Sequence, residues 1–224
     1  MRRLHALLLV SVVTLPGTSA CGDAGRVDPA VLDQTATGPR LRVTILGSPA
    51  EPRVVPVREA LAHWNGELQR LGWRVRLDSG AVRDDSVPDA VLRAAGGEVR
   101  VGWGPATARL HAAVRTRLAG APGDVVIALS HADLISYGLP WRAGRPGVVV
   151  VRRADVPPLS LPNTVRNVVA HELGHALGLA HNGDAATLMC GRPAPCRPAA
   201  FASNRVHFFP LTGQDEARLR ARWP

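Results

Sequence analysis

Apolar positions along this chain repeat with two periods. "LRVTILG", Leu41–Gly47, alternates apolar and polar residues and predicts a strand. From Val57, "VREALAHWNGELQRLG" sets Val57, Leu61, Trp64, Leu68 and Leu71 at spacings of three and four, the stripe of a packed helix closed by Gly72. "WRVRLDSG" then alternates again, so a strand, a helix and a strand follow one another and predict a right-handed parallel crossover. Further strands are expected at Glu98–Trp103 ("EVRVGW"), Asp124–Ser130 ("DVVIALS") and Gly147–Arg153 ("GVVVVRR"). The unbroken valine run of the last suits burial on both faces. The segment between these last two, "HADLISYGLPWRAGRP", reads as loop.

After "PPLSLP", Asn163 stands as the expected N-cap of a helix through "TVRNVVAHELGHALG", with Gly178 as its breaker. Val165, Val168, Val169, Leu173, Ala176 and Leu177 form its apolar stripe. A closing helix, "TGQDEARLRARW", is announced by Thr212 with Asp215 three residues on, a near capping box. The expected fold class is α/β (α+β): a twisted mixed sheet of about five strands with three helices.

At 224 residues the chain can bury one domain plus short extensions. Arg2 and Arg3 precede the apolar run "LHALLLVSVVTL" and then "PGTSAC", the three-part form of an export signal, with a run too short for a permanent membrane span. Residues 1–20 are therefore expected to be an export signal, 21–39 a flexible tether, and 40–224 the folded domain. "TSAC" resembles a lipoprotein signal box, with Thr18 where leucine is usual, which makes Cys21 the expected site of lipidation. Ordinary cleavage after Ala20 is the alternative. The protein is expected outside the cytoplasm, on the membrane through a lipid or secreted.

All 27 basic residues are arginine, and the net charge is +9. With many Ala, Gly and Pro, this reads first as coding bias. The arginines are scattered, without a recognition motif or a stacking platform, so nucleic acid is not an expected partner. If Cys21 carries a lipid, Cys190 and Cys196 remain as a pair in an oxidising compartment and are expected to form a disulfide. So short a ring contributes about 2 kcal/mol in the loop-entropy account.

Candidate chemistry is concentrated in "HELGHALGLAH", His171–His181. Four residues turn a helix by about 400°, so His171 and His175 share a face and can reach one metal ion. A third ligand on the same straight helix would meet the ion from the wrong side. Gly178 can turn left-handed and redirect the chain, letting His181 complete the set. Three imidazoles suit zinc with a fourth position open to water. Glu172, offset from the ligands, can serve as general base.

The complete HExxHxxGxxH pattern, with Met189 in "ATLMCG" eight residues after His181, resembles the metzincin metallopeptidases, whose signature adds a methionine turn. "VVAHELGHALGLAH" and "LTGQDEARLRARW" are similar to the matrixin group, although Asn182 stands where matrixins usually have Ser. The resemblance is specific from Asn163 onward and only architectural over Leu41–Asp155. It implies one catalytic Zn2+, Met189 as an apolar floor beneath the histidines, and a Cys190–Cys196 disulfide shaping the wall of a specificity pocket. With Tyr137 the only tyrosine, a tyrosine ligand following the methionine turn is excluded. No cysteine switch, structural-zinc histidine set or haemopexin-like repeat is present, so neither latency nor a Ca2+ requirement carries over. His111, His131 and His207 read as surface or structural residues.

The expected activity is zinc-dependent endopeptidase action on a protein or peptide substrate, by a monomer. The substrate should lie extended against a sheet edge, supplied by Asp124–Ser130 or another segment. The rival is a lipoprotein that binds a metal or a partner without catalysis; Glu172 argues against it, since metal storage needs no carboxylate there.

Overall fold

The computed structural model describes residues 34–35, 38–99, 103–118, 120, 123–155, 160–191 and 206–223. The expected export signal, most of the expected tether, Cys21 and Cys196 lie outside the described residues.

Strands β1 (Gln34–Thr35), β2 (Gly38–Leu41) and β3 (Val43–Leu46) lead into helix α1 (Val54–Arg70), followed by β4 (Arg76–Leu77) and β5 (Ala81–Arg83). β2 pairs with β1 antiparallel and with β4 in parallel, making a small three-stranded sheet. Arg42 alone separates β2 from β3, so the same stretch of chain feeds the main sheet. α1 starts at Val54, a turn earlier than its apolar stripe predicts. Val57, Leu61, Trp64, Leu68 and Leu71 are all buried on it, and Gly72 closes it with φ +80°.

Two helices follow, α2 (Asp89–Val99) and α3 (Pro105–Arg117). The expected strand Glu98–Trp103 is therefore wrong at its start: Glu98 and Val99 are helical, and residues 100–102 lie outside the described residues. The alternation there misleads because Glu98 is not the polar side of a strand. Its carboxylate accepts the Ala106 and Thr107 N–H groups at 2.8 and 2.6 Å, satisfying first-turn amides of α3.

The chain continues through β6 (Val125–Leu129), β7 (Tyr137–Leu139), β8 (Gly147–Val151), α4 (Pro162–Ala176) and α5 (Gly213–Arg222). The main sheet has the order β5-β3-β6-β8-β7, parallel except for β7, which runs antiparallel to β8. The mixed five-stranded sheet is as expected; the helices number five among the described residues rather than three. The presumed loop before β8 contains β7, a strand of three residues. β6 is paired on both sides and cannot be an edge.

Strand alternation divides the core in two. Val125, Ile127 and Leu129 join Trp64, Val169 and Leu173 on the α1 and α4 face. Val126, Ala128, Val148 and Val150 join Leu92, Leu110 and Val114 on the α2 and α3 face. This is why β6 and β8 read as near-continuous apolar runs. Buried Arg53 ties the strand ends together: its Nη1 donates to the carbonyls of Ser130, Val151 and Arg152 at 2.7, 3.2 and 2.8 Å, while Nε donates to Glu51 at 2.7 Å. Among the described residues no helix is long and apolar enough to cross a membrane.

Candidate metal centre

α4 does not begin at Asn163. Leu161 is its N-cap and Pro162 opens the first turn, where a missing N–H costs nothing. Asn163 turns inward instead, fully buried, and its Oδ1 accepts the His207 N–H at 3.1 Å. One turn on, buried Asn167 donates to the carbonyls of Asn163 and His207 at 3.0 and 2.7 Å and accepts from the Phe209 N–H at 3.1 Å. The helix is thus moored to the segment leading into α5. Beneath it, Trp64 Nε1 donates to the Ala170 carbonyl at 2.8 Å.

The exit of α4 is a Schellman turn. Gly178 takes φ +103°, its N–H donates to the His175 carbonyl at 3.0 Å, and the Leu179 N–H donates to the Gly174 carbonyl at 2.8 Å. The chain reverses and brings His181 back over the helix face that carries His171 and His175. The three Nε2 atoms stand 3.1, 3.2 and 3.0 Å from one another.

The approach between His171 and His175 is not a hydrogen bond. His171 Nδ1 lies 2.7 Å from the Leu188 carbonyl and His175 Nδ1 lies 2.8 Å from the Leu179 carbonyl. A carbonyl only accepts, so each Nδ1 carries the proton and each Nε2 presents a bare lone pair. Lone pairs converging this closely repel unless a cation lies between them. Tetrahedral ligands about 2.0–2.1 Å from one ion would stand about 3.3 Å apart, close to what is seen. His171, His175 and His181 therefore form a site for one metal ion, and a three-imidazole set suits zinc. Burial pushes the His175 imidazole down to about 4, against the Leu179 hydrogen bond and helped by His181; burial also lowers His181. Both shifts favour the neutral, ligating form.

His181 is held by its neighbours in sequence. The Asn182 N–H donates to the Met189 carbonyl at 2.8 Å, and the Gly191 N–H donates to the Asn182 carbonyl at 3.0 Å. Any side chain at Gly191 would collide with the His181 ring. Met189 is fully buried below, against Gly174. Asn182 Nδ2 donates to Asp215 at 3.0 Å, and the same buried Oδ2 accepts from the Thr212 N–H and Oγ1 at 3.0 and 2.7 Å. The capping box expected at Thr212 and Asp215 thus also grips the residue after the third histidine.

Glu172 is buried on α4, its carboxyl pushed up to about 8 by burial and held back by the Gly138 N–H, which donates to it from β7. A cation at the three imidazoles would favour the ionised form. β7, an edge of the main sheet, so lies directly against the metal centre. Gly138, Gly174, Gly191, Asn182 and Asp215 are the site residues that pattern reading does not single out as parts of the site; a glycine between buried apolar neighbours is the only signal Gly138 leaves.

Cys190 is disulfide-bonded, and the expected partner Cys196 lies outside the described residues. His131 and His207 are exposed. His111 is buried and stacks on Trp103 at 5.8 Å, away from the three ligands.

No family model matches this chain, and no curated protein matches it. Among solved structures it is similar to archaemetzincin from Methanopyrus kandleri, at 17% identity and TM-score 0.46 over 81% of this chain and 94% of that one. It is also similar to a zinc-dependent peptidase from Methanocorpusculum labreanum (strain Z), at 16% identity and TM-score 0.43 over 80% and 99%. A third is metalloproteinase-II from Bacteroides fragilis, at 12% identity and TM-score 0.48 over 86% of this chain and 55% of that one. Scores at this level assign no family, and the chemistry rests on the chain's own atoms.

Proposed function

We propose that this chain is an exported zinc-dependent endopeptidase, a metzincin of matrixin-like type, tethered outside the cell by a lipid on Cys21. The observation that carries the catalytic reading is the convergence of three imidazole Nε2 atoms, those of His171 and His175 left bare by their Nδ1 hydrogen bonds, beside a buried carboxyl and an edge strand.

His171, His175 and His181 would hold the ion. Bound there, zinc supplies a lowered water pKa and a Lewis acid for a carbonyl. Glu172 takes a proton at its carboxyl and returns it to the leaving amine, and the Gly138 N–H fixes the orientation of that carboxyl. A peptide pairs along the outer edge of β7, which brings an extended backbone past the ligands. Met189 supports the ligand helix from below. The motif, Met189 and the "LTGQDEARLRARW" helix support the matrixin-like type. Arg2, Arg3, the apolar run and "TSAC" support export and lipidation.

Digestion of an unstructured protein by wild type and by Glu172→Ala, each assayed for bound zinc, tests the activity. We expect zinc in both and cutting by wild type alone. Equal cutting by both, or none by wild type, would overturn it in favour of a metal- or partner-binding lipoprotein. Labelled fatty acid should enter the wild type and not Cys21→Ser; equal labelling would reject that anchor.

A further inference from the structure

On the sheet face opposite α4, where α2 overhangs the start of β7, lies a cavity of about 230 Å³. For scale, an apolar cavity of about 150 Å³ takes up benzene. Leu92, Gly96, Gly97, Leu134, Ile135 and Tyr137 line its apolar part. Ile135, 55% exposed, stands at its mouth. At the rim Arg93 donates to the Asp133 carbonyl, and Arg152 forms an ion pair with the Asp133 carboxylate.

The two glycines of α2 differ. A Cβ on Gly96 would stand 3.0 Å from Tyr137 Cε1, so packing of the Tyr137 ring explains that glycine. A Cβ on Gly97 would meet nothing within 4 Å. A glycine inside a helix costs about 1 kcal/mol relative to alanine. Packing does not require it at residue 97, which is exposed and borders the cavity.

A peptide added to the outer edge of β7 projects alternate side chains to opposite faces. One set turns toward α4 and the metal ligands. The other turns toward α2, and so toward this cavity. Ile135 lies two residues before β7 and three before Gly138, at most about 10 Å along the chain, so the cavity is within reach of residues flanking the cut bond.

We propose that this cavity is a specificity pocket that takes an apolar side chain of the peptide, within about three residues of the cut bond, on the face turned away from the metal. The proposal rests on the peptidase reading. Cleavage-site profiling of a peptide library, with wild type, Gly97→Leu and Ile135→Asp, tests it. Wild type should prefer large apolar residues about tenfold or more at one such position. Gly97→Leu, which replaces a helical glycine and should melt no lower than wild type, fills the cavity and removes that preference while the others persist. Ile135→Asp shifts the same position toward Arg and Lys. A wild type without an apolar preference there, or a Gly97→Leu profile that matches it, overturns the pocket but leaves the peptidase intact. Failure of zinc-loaded wild type to cut any peptide overturns both.

Discussion

Gly174 and Met189 are in contact through the space a side chain at residue 174 would occupy. A Cβ there would press into the methionine sulfur and lie 3.3 Å from Trp64 Cζ2. The methionine cannot retreat, because it is fully buried. Gly174→Ala should therefore displace α4 or the Met189 turn, costing about 1–3 kcal/mol of stability. Because His175 is the next residue and the Leu188 carbonyl orients His171, zinc affinity should fall at least about tenfold, the equivalent of about 1.4 kcal/mol. Thermal unfolding and competition with a chromophoric chelator measure the two effects.

Gly138 permits a similar approach between β7 and α4. A Cβ at residue 138 would run into the Glu172 carbonyl oxygen and stand 2.7 Å from His175 Cβ. One of these neighbours is backbone and the other is helix-bound, so the strand has to move. Gly138→Ala should lower kcat/KM by about tenfold or more, through loss of the N–H to Glu172 and displacement of the substrate edge. Steady-state assays on the best library peptide check this, with zinc content measured on the same sample.

Asp215 separates capping from ligand positioning. Thr212→Ala removes the cap and the hydroxyl donor to Asp215 but leaves the Asn182 hydrogen bond, and should cost about 1 kcal/mol with zinc affinity near wild type. Asp215→Ala also strips the partner of Asn182 inside the protein, for a total of about 2–3 kcal/mol, and should weaken zinc as His181 loosens. Equal zinc affinity in the two variants would contradict the link.

Acid should break the pairing of Glu51 with Arg53. The Arg53 hydrogen bond holds the Glu51 carboxyl below its ordinary value of 4.5, with burial opposing. A depressed carboxyl stabilises the fold above the unfolded value and loses that contribution as pH falls through the folded one. The gap in melting temperature between wild type and Glu51→Gln should be constant near neutrality and close below pH 4.5. A gap that widens on acidification would show that the sign is wrong.

The parts of the fold that pattern reading finds are those whose order is local. α1, β3, β6, β8 and the Thr212 cap each carry their periodicity within one segment, and "HELGHALGLAH" carries ligand spacing and the Gly178 exit together. The parts it misses depend on distant partners. β7 is three residues long and contains a glycine; it is a strand only because β8 pairs with it. α2 holds two helix-weakening glycines, and its Glu98 serves the next helix. Asn163 has a cap residue's chemistry, yet Pro162 already opens the helix and His207, far along the chain, claims its oxygen. The same limit hides Asp215, whose role at His181 is visible only once α5 has folded back.

That last connection sets an order of assembly. Two of the ligands lie within a single helix, but the third depends on a turn that α5 secures from more than 30 residues downstream, as the 33-residue separation of Asn182 from Asp215 shows. A chain still being synthesised can offer His171 and His175 before Asp215 is in place to grip Asn182. The C-terminal helix therefore acts on the site late, adding the Asp215 grip on Asn182 to a turn that the Met189 and Gly191 hydrogen bonds already close.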